Sequence, residues 1–166
     1  TLHNTILWGN TAANAPQIYN APQNSDMVNV SYSVIQGGCP VGSSCSNSIN
    51  ANPRLATLGS NGGFTQTMPL LPGSSARDTG DPATCPTTDQ RGVRRPQGRR
   101  CDIGAYEVLD PVDLGTYDDS HPAWIYNGNW ITSQGKGAYD NTLHRSNTMD
   151  SIALVAFRGV QVQLMY

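Results

Sequence analysis

Two of the commonest charged residues are almost missing from this chain. Glu107 is the only glutamate and Lys136 the only lysine, against eleven Asp and nine Arg in 166 residues. Glu and Lys are strong helix formers, so their scarcity excludes a helical bundle or coiled coil and argues against a doubly wound α/β fold. Charged residues make up 13% of the chain and sum to −2, which leaves no global charge to draw nucleic acid or an anionic membrane. No apolar run approaches the roughly 18 residues that a membrane-crossing helix needs. The chain has no P-loop, no GxGxxG and no HExxH string. What it holds instead is 17 Gly, 11 Pro and an abundance of Asn, Ser and Thr, residues that favour turns and strands. The expected fold class is all-β.

Four cysteines are present, Cys39, Cys45, Cys85 and Cys101. Cys39 and Cys45 bracket a short loop that only a local bond can close, and Cys85 and Cys101 bracket a loop rich in Pro and Arg. The expectation is two local disulfides, 39–45 and 85–101. The rival is a four-thiolate zinc site, but the spacings do not match paired CxxC knuckles. An even cysteine count in loop-rich sequence fits an oxidising compartment, so a secreted or surface-exposed protein is expected.

Periodicity divides the chain. Leu2, Asn4, Ile6 and Trp8 fall on one face of a strand at period 2, as do Val160, Val162, Leu164 and Tyr166 at the other end. Both ends therefore read as strands of a longer chain's continuing β-structure. The segment Leu2–Asn10 resembles Val28–Gly37: each alternates, ends in adjacent apolar residues (Ile6-Leu7, Val34-Ile35) and then meets a Gly turn. Their offset suggests a β-solenoid, in which each coil buries its inner face on the next, although an antiparallel sheet gives similar alternation. From residue 38 to 107, Gly, Pro, Ser, Asp and Arg dominate, as expected of an irregular cap over the last coil's apolar edge. Residues 108–116 read as a linker. Residues 117–166 return to strands rich in aromatics: Asn127-Gly128 predicts a hairpin between Trp124–Tyr126 and Trp130–Thr132, and Arg158-Gly159 a second one into Val160–Tyr166. Fifty residues with three or four strands make only part of a β-sandwich.

Several strings resemble a known family. Asn4–Asn10, Tyr32–Gly37, Asn52-Pro53, Asp78-Thr79-Gly80-Asp81, Thr88-Asp89-Gln90-Arg91-Gly92, Arg95-Pro96 and Cys101-Asp102-Ile103-Gly104-Ala105-Tyr106-Glu107 resemble the C-terminal end of secreted bacterial right-handed parallel β-helix proteins of the choice-of-anchor Q type. Residues 117–166 are similar to the first half of a jelly-roll module that follows such β-helices in surface proteins. The resemblance implies three regions: terminal β-helix coils with a cap over 1–107, a linker over 108–116, and a partial jelly-roll-like sandwich over 117–166. It also implies an extracellular scaffold or adhesive role, with no single established activity.

Candidate site residues fall into four groups. Arg77, Arg91, Arg94, Arg95, Arg99 and Arg100 share their region with Asp78, Asp81, Asp89, Asp102 and Glu107. Forked arginine–carboxylate bonds that tie an irregular cap together are favoured over an anion-binding patch, with Asp89, Arg91, Asp102 and Glu107 as the buried pairs. Arg99 and Arg100 are kept as contacts for an acidic polysaccharide. Among the aromatics, Trp124 and Trp130 are expected to pack, while Tyr126 and Tyr139, beside Gly-rich turns, are the candidates for glycan contact. Calcium near Asp118 and Asp119 is kept open, with no other cofactor or metal expected.

Catalysis has little support. The two coils offer only Asp26 and His3, and His3, His121 and His144 are scattered, none beside a plausible Ser or Cys nucleophile with an orienting carboxylate. The leading expectation is a non-enzymatic extracellular structural protein that self-assembles into filaments by strand complementation, its partner being another copy of itself. The alternatives are a carbohydrate-binding or adhesive module that contacts surface polysaccharide, and the non-catalytic tail of a polysaccharide-active enzyme.

Overall fold

Asn4 interrupts what reads as a single strand. Its φ of +49° turns the chain between β1 (Leu2–His3) and β2 (Ile6–Leu7). Asn tolerates this left-handed conformation because its short polar side chain bonds locally. The same corner recurs at Tyr32 (φ +45°), between β3 (Val28–Ser31) and β4 (Val34–Ile35), and at Asn47 (φ +51°), just after β5 (Ser43–Ser46). The period-2 expectation for Leu2 to Trp8 is therefore corrected: two short strands meet at a bend. The structure, a computed structural model, describes residues 1–20, 27–111, 116–121, 123–134 and 142–156.

The three corners lie in successive layers. β1 pairs in parallel with β3 (Leu2 opposite Val30) and β2 with β4 (Ile6 opposite Val34). Both pairings carry the offset at which the sequence repeats. β3 pairs in parallel with β5, Val28 opposite Ser43 through Ser31 opposite Ser46, and a parallel bridge joins Val34 to Ile49. The third layer thus runs to Ile49, inside the stretch expected to be irregular. Across the corner, Val34 N–H donates to the Thr5 carbonyl at 2.9 Å and Ile49 N–H to that of Ser33 at 2.8 Å. The fully buried Ser33 hydroxyl accepts from Thr5 N–H and donates to the Ser31 carbonyl. Amide side chains finish the layer ends: Gln36 accepts from Gly9 N–H, and Asn50 from Gly37 N–H.

The core forms where this stack meets the loop-rich stretch that follows. Val34, Leu70, Ala76 and Ile103 are buried together, with Ile6, Trp8, Ile49, Leu55, Tyr106 and Val108 packed around them. Ile6, Val34 and Ile49 come from three layers, and Leu70, Ala76 and Ile103 from the chain that covers them. Val108, within the stretch read as linker, is part of this packing.

The remaining strands are antiparallel. β6 (Ile125–Asn127) pairs with β9 (Ile152–Leu154), and β7 (Ile131–Gln134) with β8 (Thr142–Arg145). The hairpin expected across Asn127-Gly128 is therefore not formed. The bend is there, with Gly128 at φ +97°, but it sends the chain from one sheet to the other. Asn127 and Gly128 are engaged elsewhere: Asn127 Nδ2 donates to the Arg91 carbonyl, and a Cβ on Gly128 would sit 2.7 Å from Ser151 Oγ. Among the described residues the chain is all-β and without helix, so no helix is long and apolar enough to cross a membrane. The second expected hairpin, at Arg158-Gly159, lies outside the described residues.

Candidate functional site

The two most specific strings of the sequence fold into one buried polar network. In Thr88–Gly92, Asp89 closes a tight turn: Oδ1 accepts from the N–H of Arg91 (2.7 Å) and Val93 (3.0 Å), while Gly92 takes φ +87°. The other oxygen, Oδ2, accepts from Arg91 Nε (2.9 Å), Arg91 Nη2 (2.8 Å) and Glu107 N–H (2.9 Å). The Asp89 and Arg91 side chains are 0% and 2% exposed. Arg91 also donates to the Glu107 carbonyl and lies 3.5 Å above the Tyr106 ring, a cation–π contact in a water-poor place.

The second string, Cys101–Glu107, supplies two more carboxylates. Asp102 accepts from Asp78 N–H (2.8 Å) and Val108 N–H (2.7 Å). Glu107 accepts from Gln97 N–H and Asp102 N–H, both at 2.9 Å. Arg95 Nη1 lies 3.5 Å from Glu107 Oε2, and the same guanidinium donates at 2.6 Å to the carbonyls of Asp102 and Gly104. The arginine partner of Glu107 is thus Arg95, and the Asp102 carboxylate serves backbone N–H groups rather than an arginine. Burial pushes the carboxyls of Asp102 and Glu107 above their ordinary range, against the pull of those hydrogen bonds. The network holds an irregular chain in place and offers no room to a substrate.

Both cysteine pairs are bonded as disulfides, Cys39 to Cys45 and Cys85 to Cys101, with Cα–Cα distances of 5.9 and 6.4 Å. The second lies beside the stack: Asn4 Oδ1 accepts from Asp81 N–H at 2.8 Å, and Asn4 Nδ2 donates to Thr84 Oγ1. Arg99 and Arg100 stand apart from the buried network. Both are exposed, and Arg100 reaches 5.9 Å from the Tyr32 ring.

The antiparallel strands carry a second polar cluster that the scattered histidines did not reveal. On neighbouring strands, Thr132 of β7 lies opposite His144 of β8. Thr132 Oγ1 and His144 Nε2 are 2.9 Å apart, and His144 Nδ1 is 2.9 Å from Asp119 Oδ2, which also accepts from His144 N–H. Asp119 therefore assigns the Nδ1–H tautomer, leaving Nε2 to accept from the threonine. The hydroxyl in this hydroxyl–imidazole–carboxylate chain belongs to a threonine, outside the Ser and Cys nucleophiles weighed from the sequence. Folding joins three separate segments here, with no string that could have signalled it. Tyr126 stacks on the imidazole at 4.3 Å, with planes 4° apart, and its hydroxyl donates to the Asp119 carbonyl at 2.7 Å. Burial, aided by Asp119 and Asp118, raises the Tyr126 phenol to about 12.

Asp118 is held at about 2, first by the Ser120 hydroxyl and then by that of Thr142. Thr142 bonds Asp119 as well. These donors fall on Asp118 Oδ2 and Asp119 Oδ1. Among the described residues, no three His, Cys, Asp or Glu side chains are grouped to hold a metal.

Beside this cluster lies a cleft of about 300 Å³, walled by Gly92 and Arg94 from the loop-rich stretch and by Asp119, His121, Trp124 and Tyr126. Of the two tyrosines put forward for glycan contact, Tyr126 lines it; Tyr139 lies outside the described residues. Trp124 and Trp130 are half-buried, and Trp130 Nε1 donates to the Asn127 carbonyl at 2.9 Å. No family model matches the chain, nor does any curated protein or solved structure.

Proposed function

We propose that this chain is a structural, non-enzymatic segment of an extracellular surface protein. In this reading residues 1–107 are the terminal coils of a right-handed parallel β-helix with its cap, and residues 117–166 are part of a jelly-roll sandwich. The observation that carries the reading is the recurrence of one left-handed corner, at Asn4, Tyr32 and Asn47, in layers paired in parallel. Stacked coils of this kind make rigid spacers.

The far edge of the stack supports an ending there. β5 is short and serine-rich and holds Cys45 of the first disulfide, features that blunt an edge against further pairing. Among the described residues, no strand pairs with the outer edge of β1. Strand complementation at that edge, by a preceding coil or a second copy of the chain, is the route by which the scaffold extends or assembles.

The Thr132–His144–Asp119 chain is read as a cross-strand brace. Thr132 and His144 are register partners on a regular ladder, and Thr132 does not line the cleft. Thiol trapping of the native protein tests the extracellular assignment. Material on the outer surface with all four cysteines resistant to alkylation until reduced is the expected result; free thiols in an intracellular fraction refute it. Electron microscopy of the same material tests assembly: filaments or edge-to-edge dimers support strand addition, and a monodisperse monomer refutes it.

A further inference from the structure

We infer that the cleft between the cap and the sandwich is a binding site for a neutral pyranose unit of a polysaccharide. The inference goes beyond the scaffold role and does not depend on it.

The wall of the cleft offers two hydrogen-bond donors with nothing to donate to. His121 Nδ1 accepts from Ala123 N–H at 3.2 Å, which places the ring proton on Nε2, where it is available. Arg94 is exposed, and among the described residues its guanidinium makes no ion pair or hydrogen bond. An acceptor stands on the same wall: Asp119 Oδ1 takes only the Thr142 hydroxyl, and a carboxylate oxygen accepts two. Trp124 supplies the flat apolar surface, with Tyr126 stacked behind it at 6.3 Å and 20°.

These features select a ligand. An aromatic face suits the C–H face of a sugar ring, and hydroxyls can accept from His121 and Arg94 while donating to Asp119. Charge decides between a neutral and an acidic sugar. Arg94 is offset by Asp119, and Asp118 stands one residue behind with its charge firmly held. The site therefore has no surplus of positive charge for a uronate. The volume is near the lower end of small-molecule pockets, room for one ring rather than an extended chain. Because Gly92 and Arg94 come from the cap, the site exists only while the Asn127–Arg91 bond holds cap and sandwich together.

Tryptophan fluorescence and calorimetric titration of the whole chain decide the matter. The probes are neutral gluco-, manno-, galacto- and xylo-oligosaccharides, with oligogalacturonate as the charged counterpart. The expected result is saturable binding of at least one neutral series, insensitive to salt. Arg94→Ala and Trp124→Ala should each weaken it about tenfold. Trp124→Ala removes the stacking face, and unchanged melting temperatures show that both variants fold. No neutral series binding at millimolar concentration overturns the inference. So does binding that ignores both substitutions, or binding of the uronate alone with strong salt dependence.

Discussion

Asp89 is the residue whose loss the cap should tolerate least. Its carboxylate takes the Arg91 side chain at 2.8 and 2.9 Å and the backbone N–H groups of Arg91, Val93 and Glu107. Asp89→Asn keeps one acceptor oxygen but turns an amide NH₂ toward Arg91 Nε and Glu107 N–H, leaving a buried cation without its counter-charge. Removing one partner of a buried pair costs about 3–5 kcal/mol. In a chain of this size that lowers the melting temperature by roughly 6–20 °C. Asp89→Ala should cost more, since each of the three orphaned N–H groups adds about 1–3 kcal/mol. The control is Asp110→Asn, which breaks the 3.0 Å pair with Arg77, whose two side chains are 42% and 47% exposed. An exposed pair of this kind contributes about 0–1 kcal/mol. Urea and thermal unfolding under non-reducing conditions measure all three. A cost below about 1 kcal/mol for Asp89→Asn, or equal costs at Asp89 and Asp110, would refute the claim that this network holds the cap.

Four further outcomes follow from the same geometry. Replacing Cys85 and Cys101 by Ser should cost about 3 kcal/mol and replacing Cys39 and Cys45 about 2, because chain-entropy cost rises with loop length and the separations are 16 and 6; the reverse order in urea titrations would count against the loop argument. Gly92→Ala should loosen the seam between cap and sandwich, because Gly92 has φ +87° and its Cβ would collide with the Asn127 side chain; protease cleavage between residues 108 and 124 should rise, and unchanged resistance would contradict this. Acid should act oppositely on the two halves. The contribution of Asp102 and Glu107, whose folded values are raised, is fully present below their ordinary values of 3.8 and 4.5 and is lost as pH rises through the raised ones; that of Asp118 is present above 3.8 and lost as pH falls toward 2. Hydrogen exchange should therefore show the cap protected at about pH 4 and the Asp118 turn opening below it, and parallel loss in both would sink the assignment. Thr132 should stay unlabelled by a fluorophosphonate probe; labelling that depends on His144 would make the relay a nucleophile and overturn the non-enzymatic reading.

The features legible in the sequence were those carried by local pattern. Ile6-Leu7 and Val34-Ile35 share an ending because they are register partners, and a parallel stack turns spatial neighbours into a repeat along the chain. Asp89 and Arg91 were recognisable because the turn that joins them is local. Partners from distant segments were not. Glu107 reaches Arg95, and Asp102 reaches Asp78 and Val108, choices set by how the loops cross rather than by charge arithmetic. Asn4 looked like one more strand residue because period-2 alternation cannot register a single left-handed corner. Asn127-Gly128 carried a correct turn signal with the wrong partner: local chemistry fixes the bend, and tertiary contacts with Arg91 and Ser151 decide which strand lies beside which.

The carboxylates of the cap solve a backbone problem as much as a charge problem. Chain that covers the end of a stack is buried without belonging to a sheet, so its N–H groups have no ladder to join. Asp89 satisfies three of them, Asp102 two and Glu107 two. A purely apolar plug would leave these donors orphaned at about 1–3 kcal/mol each, or drive them to pair as a further strand and continue the stack. Buried carboxylates remove both outcomes. Their cost is desolvation, visible in the raised values of Asp102 and Glu107, and Arg91 and Arg95 offset part of it. An ending built this way is also specific. Each oxygen is matched to a named N–H, so the loops can close in one arrangement, and a shift of one residue in either string would leave a buried charge unmet.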